Sequence, residues 1–245
     1  MHQQERDELI FICKLLYDRG LLCGMDGNVS MRVSDGFLTT PSGRNKYFIK
    51  SDDLVHLNKQ GISIEYNKKP SSEFEMHKKV YDMRCDVNAI VHCHPVYSTF
   101  FASSKYELDI CLLTEAVVAQ GAIPKAKLAI PSTSEIANSI APFVDKADAI
   151  LLANHGAITY GKNLEVAYSK MDSLEHFAKI QYMGLGDNSL NTINPETVEL
   201  LEGMRDGYGL TTPCIPCNQK TDRSDKSLNE DEIVKQVLFN LSNRN

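Results

Sequence analysis

The chain has 245 residues, is 42% hydrophobic and 24% charged, and carries a formal net charge of −6. That apolar fraction excludes wholesale disorder. The acidic balance argues against a nucleic-acid partner, which would need a basic face for phosphates. No apolar run approaches the ~20 residues of a membrane-spanning helix, so no membrane partner is expected. The first residues, MHQQERD, lack a basic stretch followed by an apolar one, so no signal peptide and a cytoplasmic location are expected. The seven cysteines are odd in number and several sit in apolar runs, which points to free thiols rather than a disulfide framework.

Taken in chain order, residues 5–19 carry Leu9, Ile10, Ile12, Cys13, Leu16 and Tyr17 at helical spacing, and Gly20 ends the helix. Residues 28–33 and 37–40 flank a turn at 35–36 and read as a β-hairpin. Residues 55–57 and 62–66 flank Lys59-Gln60-Gly61 and read as a second hairpin. A helix is expected over 71–84, with Ser72 as its N-cap and Glu75 three residues on. Residues 87–93 read as a buried strand. Further helices are expected near 96–103, 111–119, 133–144, 163–183 and 195–206, and strands at 125–130, 149–153 and 157–160. Hairpins mixed with helices predict an α/β fold with a mostly antiparallel sheet covered by helices.

The texture changes after Leu210. Residues 211–229 are polar, contain two prolines, and read as a flexible linker. Residues 230–245 read as a short amphipathic helix behind an Asn229 cap, with Ile233, Val234, Val237, Leu238 and Leu241 on one face. Such a helix either docks on its own domain or serves as an address for another protein. The expected division is therefore 1–210, 211–229 and 230–245. Cys214 and Cys217 form a CxxC pair in the linker; with no second ligand pair nearby it reads as incidental or as a reversibly oxidised pair. The last 35 residues hold five basic and five acidic groups, so the whole net charge belongs to residues 1–210.

Four segments carry chemistry. In Ile90-Val91-His92-Cys93-His94-Pro95 a strand aims both imidazoles to one face and Cys93 to the other. Asn154-His155-Gly156 follows an apolar strand, with a glycine suited to close approach. Ser71-Ser72-Glu73 offers hydroxyls and a carboxylate at a helix start. Asn28-Val29-Ser30 and Thr40-Pro41-Ser42-Gly43 place small hydrogen-bonding groups in turns. Three histidines and a carboxylate suit Zn²⁺ or a similar divalent ion. His2, His56, His77 and His176 have no evident partners and read as surface or core residues. Lys46 or Arg44, in the loop beside the second turn, could add positive charge, and neither is assigned to the site.

GNVSMR, TPSG, SSEFEMH, VHCHP and NHGAITYG, in this order, resemble the class II aldolase/adducin family over roughly residues 5–210. The resemblance implies a single three-layer α/β/α domain and a homotetramer with active sites between subunits. It implies one Zn²⁺ per subunit on His92, His94 and His155, with Glu73 as ligand and proton carrier. It implies a phosphate pocket of Asn28, Ser42, Gly43, Ser71 and Ser72. The implied activity is retro-aldol cleavage of a 1-phospho-ketose such as L-fuculose 1-phosphate. Tyr208-Gly209-Leu210 matches a C-terminal Tyr-Gly-Leu whose tyrosine closes over the aldehyde end. The tyrosine that relatives donate across the subunit interface, downstream of the HxH pair, has no match here; Glu115 and Tyr106 are the nearest candidates. Rival activities within the family are cleavage of 5-deoxyribulose 1-phosphate, 4-epimerisation, dehydration and decarboxylation; a non-catalytic adducin-like role is the reading from another class. The terminal helix resembles peptides that carry enzymes to shell proteins of bacterial microcompartments.

Overall fold

Strands β1 (Asn28–Val33), β2 (Gly36–Thr39), β3 (Val55–Asn58), β4 (Ala89–Cys93), β5 (Lys125–Ala126), β6 (Ala149–Leu152) and β7 (Gly156–Gly161) form one sheet in the order β3-β2-β1-β4-β7-β6-β5. The computed structural model describes residues 2–186 and 189–205. All neighbouring strands are antiparallel except β5 and β6. The helices are α1 (Gln3–Asp18), α2 (Phe74–Met83), α3 (Val96–Ser103), α4 (Ser134–Ile140), α5 (Leu164–Met183) and α6 (Pro195–Gly203). Among the described residues no helix is long and apolar enough to cross a membrane.

Strand periodicity sorts the core into two layers. Ala89, Val91, Cys93, Ala149 and Leu151 pack with Leu9 and Leu16 of α1, Phe101 of α3 and Met171 and Leu174 of α5. Ile90, Ile150, Leu152, Ile158 and Tyr160 pack on the other side with Met76 and Val80 of α2 and Ile136 and Ile140 of α4. The fold is therefore the expected α/β/α sandwich. Each fully buried aliphatic side chain contributes about 1.5–3 kcal/mol. One buried ion cluster ties the layers: Lys170 of α5 bonds Asp148 just before β6, and Arg84 after α2 reaches the same carboxylate at 3.1 Å.

Several local expectations fail, each for a visible reason. The first hairpin turns at residues 34–35, with Val33 pairing Gly36, so Gly36 is a strand residue rather than a turn residue. A Cβ there would lie 1.9 Å from the Leu57 carbonyl oxygen of β3. Residues 62–66 form only an isolated bridge, Leu57 to Ser63. Their alternation is inverted: Ile62, Ile64 and Tyr66 face solvent, while Glu65 turns in to Lys68 and the His56 amide. Ser72 does not cap α2, which starts at Phe74 behind Glu73; the Ser72 hydroxyl accepts instead from Ser132 at 2.8 Å. The helix expected over 111–119 is a 3₁₀ turn, Ile110–Leu112, and a π turn, Ala116–Gln120. There the Arg205 guanidinium takes the Val117 and Val118 carbonyls. The strand over 125–130 shrinks to two residues, and Leu128 and Ile130 point into solvent. Among the described residues Cys13, Cys23, Cys85 and Cys93 are free thiols, as expected.

Candidate active site

The end of β4 and the β6–β7 turn meet at one point. β4 and β7 pair His92 with Ile158 and Cys93 with Ala157, which sets the turn carrying His155 beside the HxH pair. Asn154 takes a left-handed backbone (φ 55) and makes this tight reversal. The three imidazoles form a triangle with every pair of ring centroids 4.8 Å apart. The His92 and His94 Nε2 atoms are 3.1 Å apart. His92 Nδ1 donates to the Ala157 carbonyl at 2.9 Å, which leaves the Nε2 lone pair free to face the centre. Gly156 is required at its position: a Cβ would lie 2.4 Å from both the Cys93 oxygen and His94 Cδ2. Cys93 itself is buried in the opposite layer, and burial pushes its thiol well above the usual range.

Glu73 reaches this triangle from the start of α2. Its Oε2 is 3.2 Å from His92 Nε2 and its Oε1 3.3 Å from His155 Nε2. Asn28, paired with His92 across β1 and β4, donates to Glu73 Oε2 at 3.1 Å. Burial opposes ionisation of Glu73, but the hydrogen bond and charge of His92, with His155 and His94 behind it, outweigh burial and hold the carboxyl down at about 2. Burial, and then the charge of His92, lowers His94 and His155 to about 4. Near neutral pH these groups are a carboxylate and neutral imidazoles, the forms that ligate a divalent cation. Asn28 Oδ1 and His155 Nδ1 are buried without hydrogen-bond partners. Donor chemistry and separation fit a metal on His92, His94 and His155.

All five residues assigned to phosphate from sequence (Asn28, Ser42, Gly43, Ser71 and Ser72) line one cleft of about 200 Å³ together with Glu73 and His94. Gly43 supplies a left-handed turn (φ 67). The Ser71 hydroxyl accepts from the Glu73 amide at 3.3 Å, so one short segment places both side chains in the cleft. Sequence reasoning missed Asp26 and Ser132 and did not choose between Lys46 and Arg44; Asp26, Ser132 and Lys46 line the same cleft. Lys46 is 4% exposed, its ammonium bonds the Met25 carbonyl, and burial pulls its pKa down. Arg44 turns away and pairs with Asp53 at 3.2 Å. A signal for Lys46 existed in its nearness to Thr40-Pro41-Ser42-Gly43, but loop sequence does not give side-chain direction.

The remaining assignments separate. Glu115 precedes the π turn, is exposed, and accepts from the Thr114 hydroxyl. Tyr106 is exposed and stacks on Phe100. Neither lines the cleft of its own chain. Tyr208, Cys214, Cys217 and the 211–229 and 230–245 segments lie outside the described residues. His77 is fully buried and bonds the Ser30 hydroxyl at 2.7 Å. His2 and His56 do have a partner: both approach Asp35.

Residues 7–182 match the class II aldolase and adducin N-terminal domain. The chain is 36% identical over 174 residues to an L-fuculose phosphate aldolase of Methanococcus maripaludis, covering 71% of this chain and 94% of that protein. It is 32% identical over 209 residues to a 5-deoxy-D-ribulose 1-phosphate aldolase of Bacillus thuringiensis, covering 84% and 98%. Among solved structures, an L-fuculose 1-phosphate aldolase superposes with a TM-score of 0.78 at 29% identity, covering 86% of this chain and 98% of that one.

Proposed function

The chain belongs to the class II aldolase and adducin family and is an aldolase, a carbon–carbon lyase, and on this premise we propose that it cleaves L-fuculose 1-phosphate to dihydroxyacetone phosphate and L-lactaldehyde with zinc. One observation carries the reading: His94 of the imidazole triangle and Glu73 line the same cleft as hydroxyls, a glycine turn and a buried lysine. A divalent cation on His92, His94 and His155 would act as a Lewis acid toward the negative charge that develops on substrate oxygens as the C3–C4 bond breaks.

The chain's own residues do the rest. Asn28, Ser42, Gly43, Ser71 and Ser72 hold the phosphate by hydrogen bonds. Lys46 supplies the local positive charge that an acidic domain otherwise lacks, since residues 1–210 carry the whole net charge of −6. Glu73 exchanges the proton at C3: it removes that proton in the condensation direction and returns it on cleavage. Asn28 orients the carboxylate for this transfer. Tyr208 orients the aldehyde end. The proton on the C4 hydroxyl leaves to a group from a neighbouring subunit of a homotetramer, with Glu115 or Tyr106 as the donors of that chemistry.

The similarity over 84% of the chain to a 5-deoxy-D-ribulose 1-phosphate aldolase supports a second substrate. It shares the phosphate and C2–C3 region and differs only at the aldehyde end. The residues 230–245 are proposed as a docking helix for a microcompartment shell, which would retain a reactive aldehyde product. The deciding experiment measures dihydroxyacetone phosphate release from fuculose, rhamnulose, ribulose and 5-deoxyribulose 1-phosphates, before and after chelation. Fuculose 1-phosphate should have the highest kcat/KM, and chelation should abolish every activity. Release unaffected by chelation would refute the metal-dependent reading.

A further inference from the structure

Three side chains from separate parts of the chain converge at the start of α1. His2 caps that helix in a left-handed conformation (φ 59, ψ 42). Asp35 comes from the β1–β2 turn, and His56 from β3, the outermost strand on that side of the sheet. Asp35 Oδ1 is 2.8 Å from His2 Nε2 and 3.1 Å from His56 Nε2. The two rings meet edge to face, centroids 5.1 Å apart, and the three donor atoms all lie within 4.8 Å of one another. His56 is buried and the His2 side chain is 11% exposed, whereas Asp35 is half exposed. Glu5 Oε1 stands 3.5 Å from the other nitrogen of His2. None of these residues lines the active-site cleft.

A purely hydrogen-bonded cluster needs only two N–H donors on a carboxylate, from either ring nitrogen. Here both rings present the same outer nitrogen, Nε2, to a single oxygen. Two imidazole nitrogens and a carboxylate oxygen are a donor set for borderline divalent cations, and a hard-cation site would offer oxygens instead. The half-exposed carboxylate leaves one side open for water to complete the shell. We propose that His2, Asp35 and His56 bind a second divalent transition-metal ion of the Zn²⁺ type. The ion ties the first turn of α1 to the β1–β2 hairpin and to β3, and it takes no part in the reaction. It links residues 33 and 21 positions apart in sequence, so its effect is on folding stability.

The test uses the full chain, stripped with a chelator and titrated with Zn²⁺ at micromolar concentration, the bound metal being counted by elemental analysis. Two ions per wild-type chain are expected. Asp35→Asn and His2→Gln should each bind one, with unchanged circular dichroism and with aldolase activity within about twofold of wild type. His92→Ala should also bind one, and Zn²⁺ should raise its melting temperature; combined with Asp35→Asn it should bind none. The His92→Ala titration separates this ion from the active-site one. If Asp35→Asn is poorly folded, His2→Gln at the helix start gives the same reading. One ion per wild-type chain, or two in both Asp35→Asn and His2→Gln, overturns the proposal.

Discussion

The two sides of the cleft are built by opposite means. The proposed metal-binding side stands on strand termini: His92 and His94 at the end of β4, His155 at a two-strand reversal, set by register and by a glycine that admits no Cβ. The proposed phosphate side stands on loops, with Ser132 and Ser72 hydroxyls that bond one another and a lysine anchored by a carbonyl. A cation tolerates little displacement of its ligands, so the sheet supplies them. A phosphate with several acceptor oxygens accepts donors from many directions, so loops suffice. The metal side should therefore respond to substitution with loss of chemistry, and the phosphate side with loss of affinity.

The strongest challenge to that contrast is His92→Ala. It should remove the active-site ion and lower kcat by about a thousandfold or more, since several kcal/mol of charge stabilisation is lost. Metal counting and steady-state kinetics read both, and retained activity without the ion would break the comparison. Gly156→Ala should come next. The methyl meets the Cys93 carbonyl and the His94 ring, costing about 1–3 kcal/mol of stability and about 10–100-fold in metal affinity through a misaligned ligand. Denaturant melts and Zn²⁺ titration check it.

On the phosphate side Lys46→Met should raise KM roughly 10–100-fold with kcat much less affected, as expected for a charged hydrogen bond to a bound anion. A fall in kcat alone would move Lys46 to the metal side. Ser132→Ala should raise KM only about fivefold, by releasing the Ser72 hydroxyl it holds.

The smallest effect sharpens the contrast within α2 itself. One turn after Glu73, His77 is held at about 3 by burial first and the charge of His92 second, against the opposing charge of Glu73. Its neighbours from β1 and α2 are the Ser30 hydroxyl, which it bonds, and Tyr81, which shares that hydroxyl. An unfolded histidine titrates near 6.5, above the folded value. Stability from this group is complete above that pH and is lost as pH falls from about 6.5 towards 3, where only the unfolded chain gains the proton. His77→Gln should flatten the stability profile over that window, measured by urea melts at fixed Zn²⁺, while leaving the neutral-pH activity profile in place.

Much of this site was legible in the chain. His92-Cys93-His94 on a strand gives two imidazoles on one face because side chains alternate with period two, and the same rule sends Cys93 into the core. Gly156 beside His155 signalled a close approach, and it packs against the His94 ring. The Ser71-Ser72-Glu73 segment announced a helix start, although the expected cap failed because Ser72 bonds Ser132 and Glu73 faces the histidines. The strand expected at 62–66 shows the limit from the other side: the segment forms only an isolated bridge with its apolar residues in solvent, because alternation predicts two faces but not which one is buried.

Sequence alone determined a mostly antiparallel sheet covered by helices, the strand that carries the histidine pair and the turns that line the cleft, because periodicity and turn chemistry are local properties. Only the tertiary structure decided that Lys46 turns into the cleft while Arg44 turns out, and that His2, Asp35 and His56 meet. Those outcomes depend on loop direction and on strand order across the sheet, and both are fixed by packing between residues far apart in the chain.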